Sequence, residues 1–139
     1  MIEELSRAEI DELLAEEVVG RVGCHAGGAT YVVPVFFAYD GESIFVQTLE
    51  GRKVEMMRAS PAVCFEVDRY ERDTGSWRSV VADGRYEELD AAGGEHARAL
   101  LRERFASTGR HRESRDTGDR AAVAFAIRIE RVAGRAVRR

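Results

Sequence analysis

The chain has no run of eighteen apolar residues, no basic-then-apolar leader, no CxxC pair, no low-complexity tract and no internal repeat. Without the apolar run there is no candidate membrane-spanning helix. The start is acidic (Glu3, Glu4), so no leader is read there and the expected location is the cytoplasm. Cysteine is scarce: Cys24 and Cys64 stand far apart inside apolar segments, which reads as two buried thiols in a reducing compartment. Histidine is scarce too. His25, His96 and His111 have no partner at metal-ligand spacing, so no metal centre is expected. No Ser-His-Asp or Cys-His order stands out, and Glu16-Glu17 and Glu87-Glu88 point to opposite faces of regular segments. Hydrolytic chemistry therefore has no candidate set. An excess of positive charge is also missing. The net charge is −4, and the arginines of the last third (Arg98, Arg102, Arg104, Arg110, Arg112, Arg115, Arg120) are interleaved with Glu95, Glu103, Glu113, Asp116 and Asp119. That pattern reads as a solvated face and gives no general grip on nucleic acid.

What is present fits one soluble domain spanning 1–139, with 45% hydrophobic and 33% charged residues and enough length for a real core. Ser6-Arg7-Ala8-Glu9 has the form of a capping box, and Ile10, Leu13 and Leu14 follow at helical spacing, so a helix is expected over about 6–17. The period then changes to two. Strands are expected over 18–25, 30–39 and 42–48, with turns at Gly27-Gly28 and Asp40-Gly41. A short helix over 54–59 stops at Ser60-Pro61. A fourth strand over 62–69 puts Val63, Phe65 and Val67 on one face, and a fifth over 77–89 has a bulge signal at Gly84. Gly93-Gly94 precedes a helix over 95–107, residues 108–120 read as a polar loop, and a strand over 121–132 alternates strictly. Six strands with three helical interruptions, mostly joined antiparallel, predict a mainly β (α+β) fold. It would be a six-stranded antiparallel split β-barrel with flanking short helices.

One turn carries chemistry. The strand Ser43-Ile44-Phe45-Val46-Gln47-Thr48 is followed by Leu49-Glu50-Gly51-Arg52-Lys53, which places two cations at a helix start. Unpaired amides there carry partial positive charge and favour a phosphate. Arg52 can fork onto two phosphate oxygens, Lys53 adds a mobile charge, and Thr48 adds a hydroxyl. A solvated surface turn has the same composition, so the surroundings decide.

Those surroundings form an ordered set. Gly20-Arg21-Val22-Gly23-Cys24 is followed by Val32-Val33-Pro34-Val35-Phe36-Phe37, Phe45-Val46-Gln47-Thr48, Gly51-Arg52-Lys53 and Pro61-Ala62-Val63-Cys64-Phe65-Glu66-Val67. Trp77-Arg78-Ser79-Val80-Val81 with Gly84-Arg85 completes it. From Val18 to Val132 this succession resembles the FMN-binding split-barrel family related to pyridoxamine 5′-phosphate oxidase, most of all its small nitroimidazole-resistance (Nim-type) branch. The resemblance implies one FMN in each of two grooves of a homodimer. It also implies a backbone contact from Val33, Pro34, Val35, Phe36 and Phe37 to the flavin pyrimidine edge. Gln47 and Thr48 would reach the ribityl chain and phosphate, and Gly51, Arg52 and Lys53 would hold the phosphate. Trp77 and Ser79 would approach from the second subunit, with Arg78 on the opposite face. Pro34 removes a backbone donor, so it marks either an interruption in a central strand or an edge strand.

The chain also departs from its relatives. Pyridoxamine-phosphate oxidases carry a C-terminal extension whose arginines and aromatic hold the substrate phosphate. Here the last expected strand is followed only by Ala133-Gly134-Arg135-Ala136-Val137-Arg138-Arg139, so pyridoxamine-phosphate oxidation is not implied. The histidine common in the strand before the Gly-Arg-Lys turn of Nim-type proteins is absent. His111, among Arg110, Arg112 and Arg115, is a candidate substrate contact. The expectation is an FMN-dependent oxidoreductase that passes electrons from a reduced nicotinamide or a reductase to a small planar acceptor, with no catalytic residue assigned. Two alternatives stand beside it: a non-catalytic carrier of the same fold holding deazaflavin or haem, and a cofactor-free dimer.

Overall fold

The computed structural model, which describes residues 1–107 and 121–139, contains eight strands. They are β1 (Glu3–Glu4), β2 (Val19–Ala26), β3 (Ala29–Phe36), β4 (Ala38–Tyr39), β5 (Ser43–Leu49), β6 (Ala62–Tyr70), β7 (Trp77–Glu88) and β8 (Ala122–Val137). Three helices interrupt them: α1 (Arg7–Glu16), α2 (Arg52–Ala59) and α3 (Ala91–Ser107). All described pairings are antiparallel. The order is β3-β2-β6-β7-β8-β5-β4, with β1 added to β8.

The two ends of that path, β3 and β4, are consecutive in the chain with only Phe37 between them. One segment therefore borders both edges of the curled sheet. Up to Phe36 it pairs with β2; from Ala38 it pairs with β5 through Ala38–Phe45 and Tyr39–Ile44. Beyond Phe45 the two edges separate, and β3 and β5 approach without forming a ladder among the described residues. The barrel is closed at one end of this seam and split along the rest.

Inside, Val22, Val63, Phe65, Val67, Val80, Ala82, Phe125 and Ile127 form the core, with Phe37 edge-on to Phe65 at 4.9 Å. α1 sits at the end carrying Tyr39 and Arg69, and α2 at the end carrying Tyr31 and Glu88. α3 packs outside, where Ala97 and Ala126 enclose Phe45. Ser6 caps α1 and Glu9 returns a bond to its backbone, completing the capping box. Gly27 and Gly28 both have positive φ in the β2–β3 turn, as a tight hairpin requires. The bulge falls at Gly84, where Asp83 faces Arg131 but Gly84 faces Ile129, leaving Glu130 as the extra residue. A Cβ on Gly84 would stand 2.5 Å from the Arg128 carbonyl oxygen, so the two backbones meet there as only glycine allows.

Several expectations need correction. The strand expected over 30–39 is broken at Phe37, because the segment changes partner there. β8 continues to Val137 instead of stopping at Val132, since Gly134 is needed under Leu5 and Ile10 and its glycine signal is not a stop. Gly93 and Gly94 lie inside α3; the Asp90 side chain accepts the Gly93 N–H at 2.8 Å and starts the helix four residues early. Cys24 is buried, but Cys64 is exposed, because strand alternation puts it outside with Glu66 and Asp68.

Candidate functional site

The seam gathers most of the residues singled out from the sequence. β5 runs out at Leu49 and Gly51 takes the N-cap position of α2 in extended backbone, with no side chain capping the helix. Neither a left-handed turn nor crowding calls for glycine here: an added Cβ would find only the Leu49 carbonyl oxygen, at 3.9 Å, so the ground before the helix is open. The first amides of α2 face this open ground with Arg52 and Lys53 beside them. The Arg52 guanidinium stacks 4.3 Å from the centroid of the Tyr31 ring, so its position is fixed across the seam by β3. Tyr31 was not singled out from the sequence. Twenty-one residues separate it from Arg52, and no spacing rule links them. Cys24, on the inner face of β2, is close enough to feel both cations, yet burial wins and pushes its thiol up.

Pro34 settles the character of β3. The Phe37 N–H donates to the Val18 carbonyl oxygen at 3.0 Å, and hydrogen-bonded pairs alternate in an antiparallel ladder. Pro34, paired with Arg21, then falls on a position whose backbone faces away from β2. It costs the ladder no donor and lies on the free edge, the edge-strand alternative. That edge carries the carbonyl groups of Val32 and Pro34, while Val33 and Val35 bond inward to β2. Gln47 and Thr48, both half-buried, border the same seam from β5. Being adjacent on a strand, they point to opposite faces: Thr48 shares the barrel face with Val46, and Gln47 the α3 face with Phe45.

Directly before Gly51, Glu50 turns its carboxylate onto Arg58, with both oxygens bonded at 2.6 and 3.0 Å. Arg58 also forks onto Glu88 at 2.7 and 3.1 Å, and the Tyr86 hydroxyl donates to Glu88 at 2.6 Å. Arg58 and then Tyr86 hold the Glu88 carboxyl below its usual range. This network also escapes sequence reading, because its members are eight and thirty residues apart.

Trp77 and Ser79 are not brought to the seam. Trp77 pairs with Tyr70 and Val137, and Ser79 with Asp68 and Arg135, at the α1 end of the barrel. Cys64, which neighbours the Arg52 end, is six residues along β6 from Tyr70, about 20 Å at strand rise. Trp77 instead lines a separate open groove of about 510 Å³ with Arg78, Arg69 and Arg139. Between the two ends, the outer face of β3, β2, β6 and β7 exposes Val32 (62%), Val19 (39%), Tyr70 (62%) and Val81 (49%). On the same face Arg21 pairs with Glu66 at 3.2 Å and Asp68 at 3.3 Å. Burial first, then the neighbouring Asp68, pushes the Glu66 carboxyl up to about 7 despite Arg21.

Of the histidines, His25 bonds Thr30 at 2.8 Å and His96 stands edge-on to Phe45. His111 and the arginines around it lie outside the described residues. No described helix is long and apolar enough to cross a membrane.

Comparison with known proteins places this geometry. A family model described as pyridoxamine 5′-phosphate oxidase matches residues 6–136. The structure of an FAD-binding protein from Mesorhizobium loti is 33% identical and covers 100% of this chain and 98% of its own, with a TM-score of 0.80. A candidate 5-nitroimidazole antibiotic resistance protein from Bacteroides thetaiotaomicron shares the fold at 19% identity and a TM-score of 0.77, covering 98% of this chain and 87% of its own. An uncharacterised protein of Rhizobium meliloti is 32% identical over 92 residues, which is 66% of this chain and 60% of that relative's length.

Proposed function

The chain belongs to the pyridoxamine 5′-phosphate oxidase family, and on that premise we propose that it is a flavin-binding oxidoreductase holding FMN at the seam between β3 and β5. The observation that carries the reading is the start of α2: helix amides with no side-chain cap, Arg52 fixed over Tyr31, and Lys53 beside it. This is a fitted cradle for a phosphate that is close to a dianion near neutral pH. The edge carbonyls of Val32 and Pro34 are acceptors suited to the N–H of a flavin pyrimidine edge. When bound, the flavin supplies the hydride and electron transfer itself. The residues of this chain bind the phosphate, orient the ring along β3 and shield it with Phe36; none need act as a general acid. The electrons would pass from a reduced nicotinamide or a reductase to a small planar acceptor.

The same reading calls for a cytoplasmic homodimer. Along the strands Trp77 stands about 20 Å and Ser79 about 13 Å from the phosphate-cradle end of their own chain, so they serve a flavin only if a second copy brings them. The exposed Val19, Val32, Tyr70 and Val81 supply the apolar face on which that copy would sit.

FAD is the second reading for the cofactor, favoured by the FAD-binding relative that covers the whole chain. The absorption spectrum of the purified protein, repeated after added FMN and gel filtration, tests both. Flavin bands co-eluting with a dimer support the assignment, and chromatography of the released cofactor distinguishes FMN from FAD. A Soret band, or a protein that lets both flavins pass through, would overturn it. Lys53→Ala should weaken FMN binding roughly ten- to a hundredfold, about 1.5–3 kcal/mol, with the melting temperature of the flavin-free protein unchanged. Unchanged FMN affinity would remove the phosphate from this turn.

A further inference from the structure

Arg58 plays no part in the cradle as described, yet it makes the densest ion-pair network among the described residues. Its guanidinium takes both oxygens of Glu50 and both of Glu88, four bonds between 2.6 and 3.1 Å. Isolated surface pairs contribute little, but a two-sided fork with a second carboxylate held by Tyr86 is the geometry in which such pairs fix a conformation. What it fixes matters because of where Glu50 sits.

Glu50 immediately precedes the N-cap Gly51. A carboxylate this near a helix start is attracted by the partial positive charge of the first amides and the helix dipole. In this chain it is engaged elsewhere. Arg58 lies in the last turn of α2 and bonds both oxygens of Glu50, while the N-cap Gly51 offers the first amides no side chain. We propose that Arg58 is a positioning residue for phosphate recognition: it withdraws and neutralises the Glu50 carboxylate that would otherwise compete with the cofactor phosphate for the start of α2. Glu88 and Tyr86 hold Arg58 in place from β7. This inference rests on the flavin reading, and it concerns a residue that touches neither cofactor nor substrate.

The competition has a signature that a purely structural clamp lacks, because a freed carboxylate opposes only the phosphate. FMN and riboflavin, which differ by that phosphate, are titrated by flavin fluorescence against the full-length protein and three variants. In Arg58→Met, FMN affinity should fall about tenfold, the effect of an uncompensated carboxylate near a phosphate at moderate effective dielectric, while riboflavin affinity stays the same. In Arg58→Met with Glu50→Gln, FMN affinity should return close to that of the unaltered protein. Arg58→Lys, which keeps the charge without the two forks, should fall between and guards against a variant that fails to fold. If Arg58→Met binds FMN as before, or if Glu50→Gln does not rescue it, the inference is overturned. An unaltered protein that binds FMN no better than riboflavin overturns the phosphate cradle itself, before any variant is compared.

Discussion

β2, β6 and β7 present two faces built from alternate residues of the same strands, and the faces obey different rules. The inner one, with Val22, Val63, Phe65, Val67, Val80 and Ala82, is uniformly apolar and closed from solvent. The outer one mixes Val19, Tyr70 and Val81 with Arg21, Glu66 and Asp68, and leaves its apolar members in solvent. Folding of one chain accounts for the inner face entirely. It gives no reason for three large apolar side chains and a carboxyl pair gathered outside, where a sheet that faces only water would carry polar residues. In the reading proposed above, the outer face answers to a second copy, and the two faces should therefore fail in different ways when broken.

The inner face should give the largest effect. Phe65 is fully buried, edge-on to Phe37, and its ring occupies the space over Gly20, where an added Cβ would stand 2.2 Å from it. Phe65→Ala should cost about 3–5 kcal/mol, a large share of the roughly 5–15 kcal/mol available to a domain. Urea unfolding followed by circular dichroism measures it; a loss under about 1 kcal/mol would mean that the core is not organised around this ring.

Breaking the outer face should leave the chain folded and separate the copies. Val81→Arg puts a bulky cation on β7 opposite Glu66 of β6, a neighbour that accommodates the charge in a single chain. A two-fold interface contains the substitution twice, so association should weaken by on the order of a hundredfold or more. Gel filtration with light scattering reads the mass, and flavin should be lost with the dimer. That outcome would sharpen the contrast with Lys53→Ala, which should lose flavin and keep the dimer. A Val81→Arg protein that remains dimeric with flavin bound would move the interface elsewhere.

The same contrast explains what the sequence could and could not disclose. The inner face is periodic, so the strands, the capping box at Ser6 and the bulge at Gly84 are all legible from local pattern. Cys64 shows the limit of judging a residue by its neighbours' polarity, since the alternation that makes Val63 and Phe65 inner makes Cys64 outer. Arg52 and Lys53 are legible as a pair because helix-start chemistry is local. Tyr31 beneath Arg52, and Arg58 between Glu50 and Glu88, depend on which strands the barrel brings together, and no window of sequence contains that. The break of the 30–39 strand at Phe37 is hidden for the same reason: both halves have strand composition, and only the change of partner separates them.

The smallest expected effect tests the outer face by its charge. Burial and Asp68 raise the Glu66 carboxyl from its ordinary value of 4.5 to about 7. Below pH 4.5 the group is protonated in both folded and unfolded chains. Between 4.5 and about 7 the unfolded chain releases the proton while the folded chain retains it, so stability falls as pH rises through this window and levels off above it. Glu66→Gln, fixed in the neutral form, should flatten that slope, so that the variant gains on the unaltered protein between pH 5 and pH 8 in urea midpoints. Arg21 retains a hydrogen-bond acceptor in the glutamine, which keeps the comparison one of charge. Combining the substitution with Val32→Arg, which breaks the same outer face from β3 without setting a cation opposite Glu66, separates two sources of the raised value. If a second copy covers Glu66, the pH slope should be steeper in the dimer than in the separated chain, because burial in the interface further disfavours the charged form. Equal slopes in the two backgrounds would confine the effect to the Asp68 pair and desolvation within one sheet, and would count against this face as the interface.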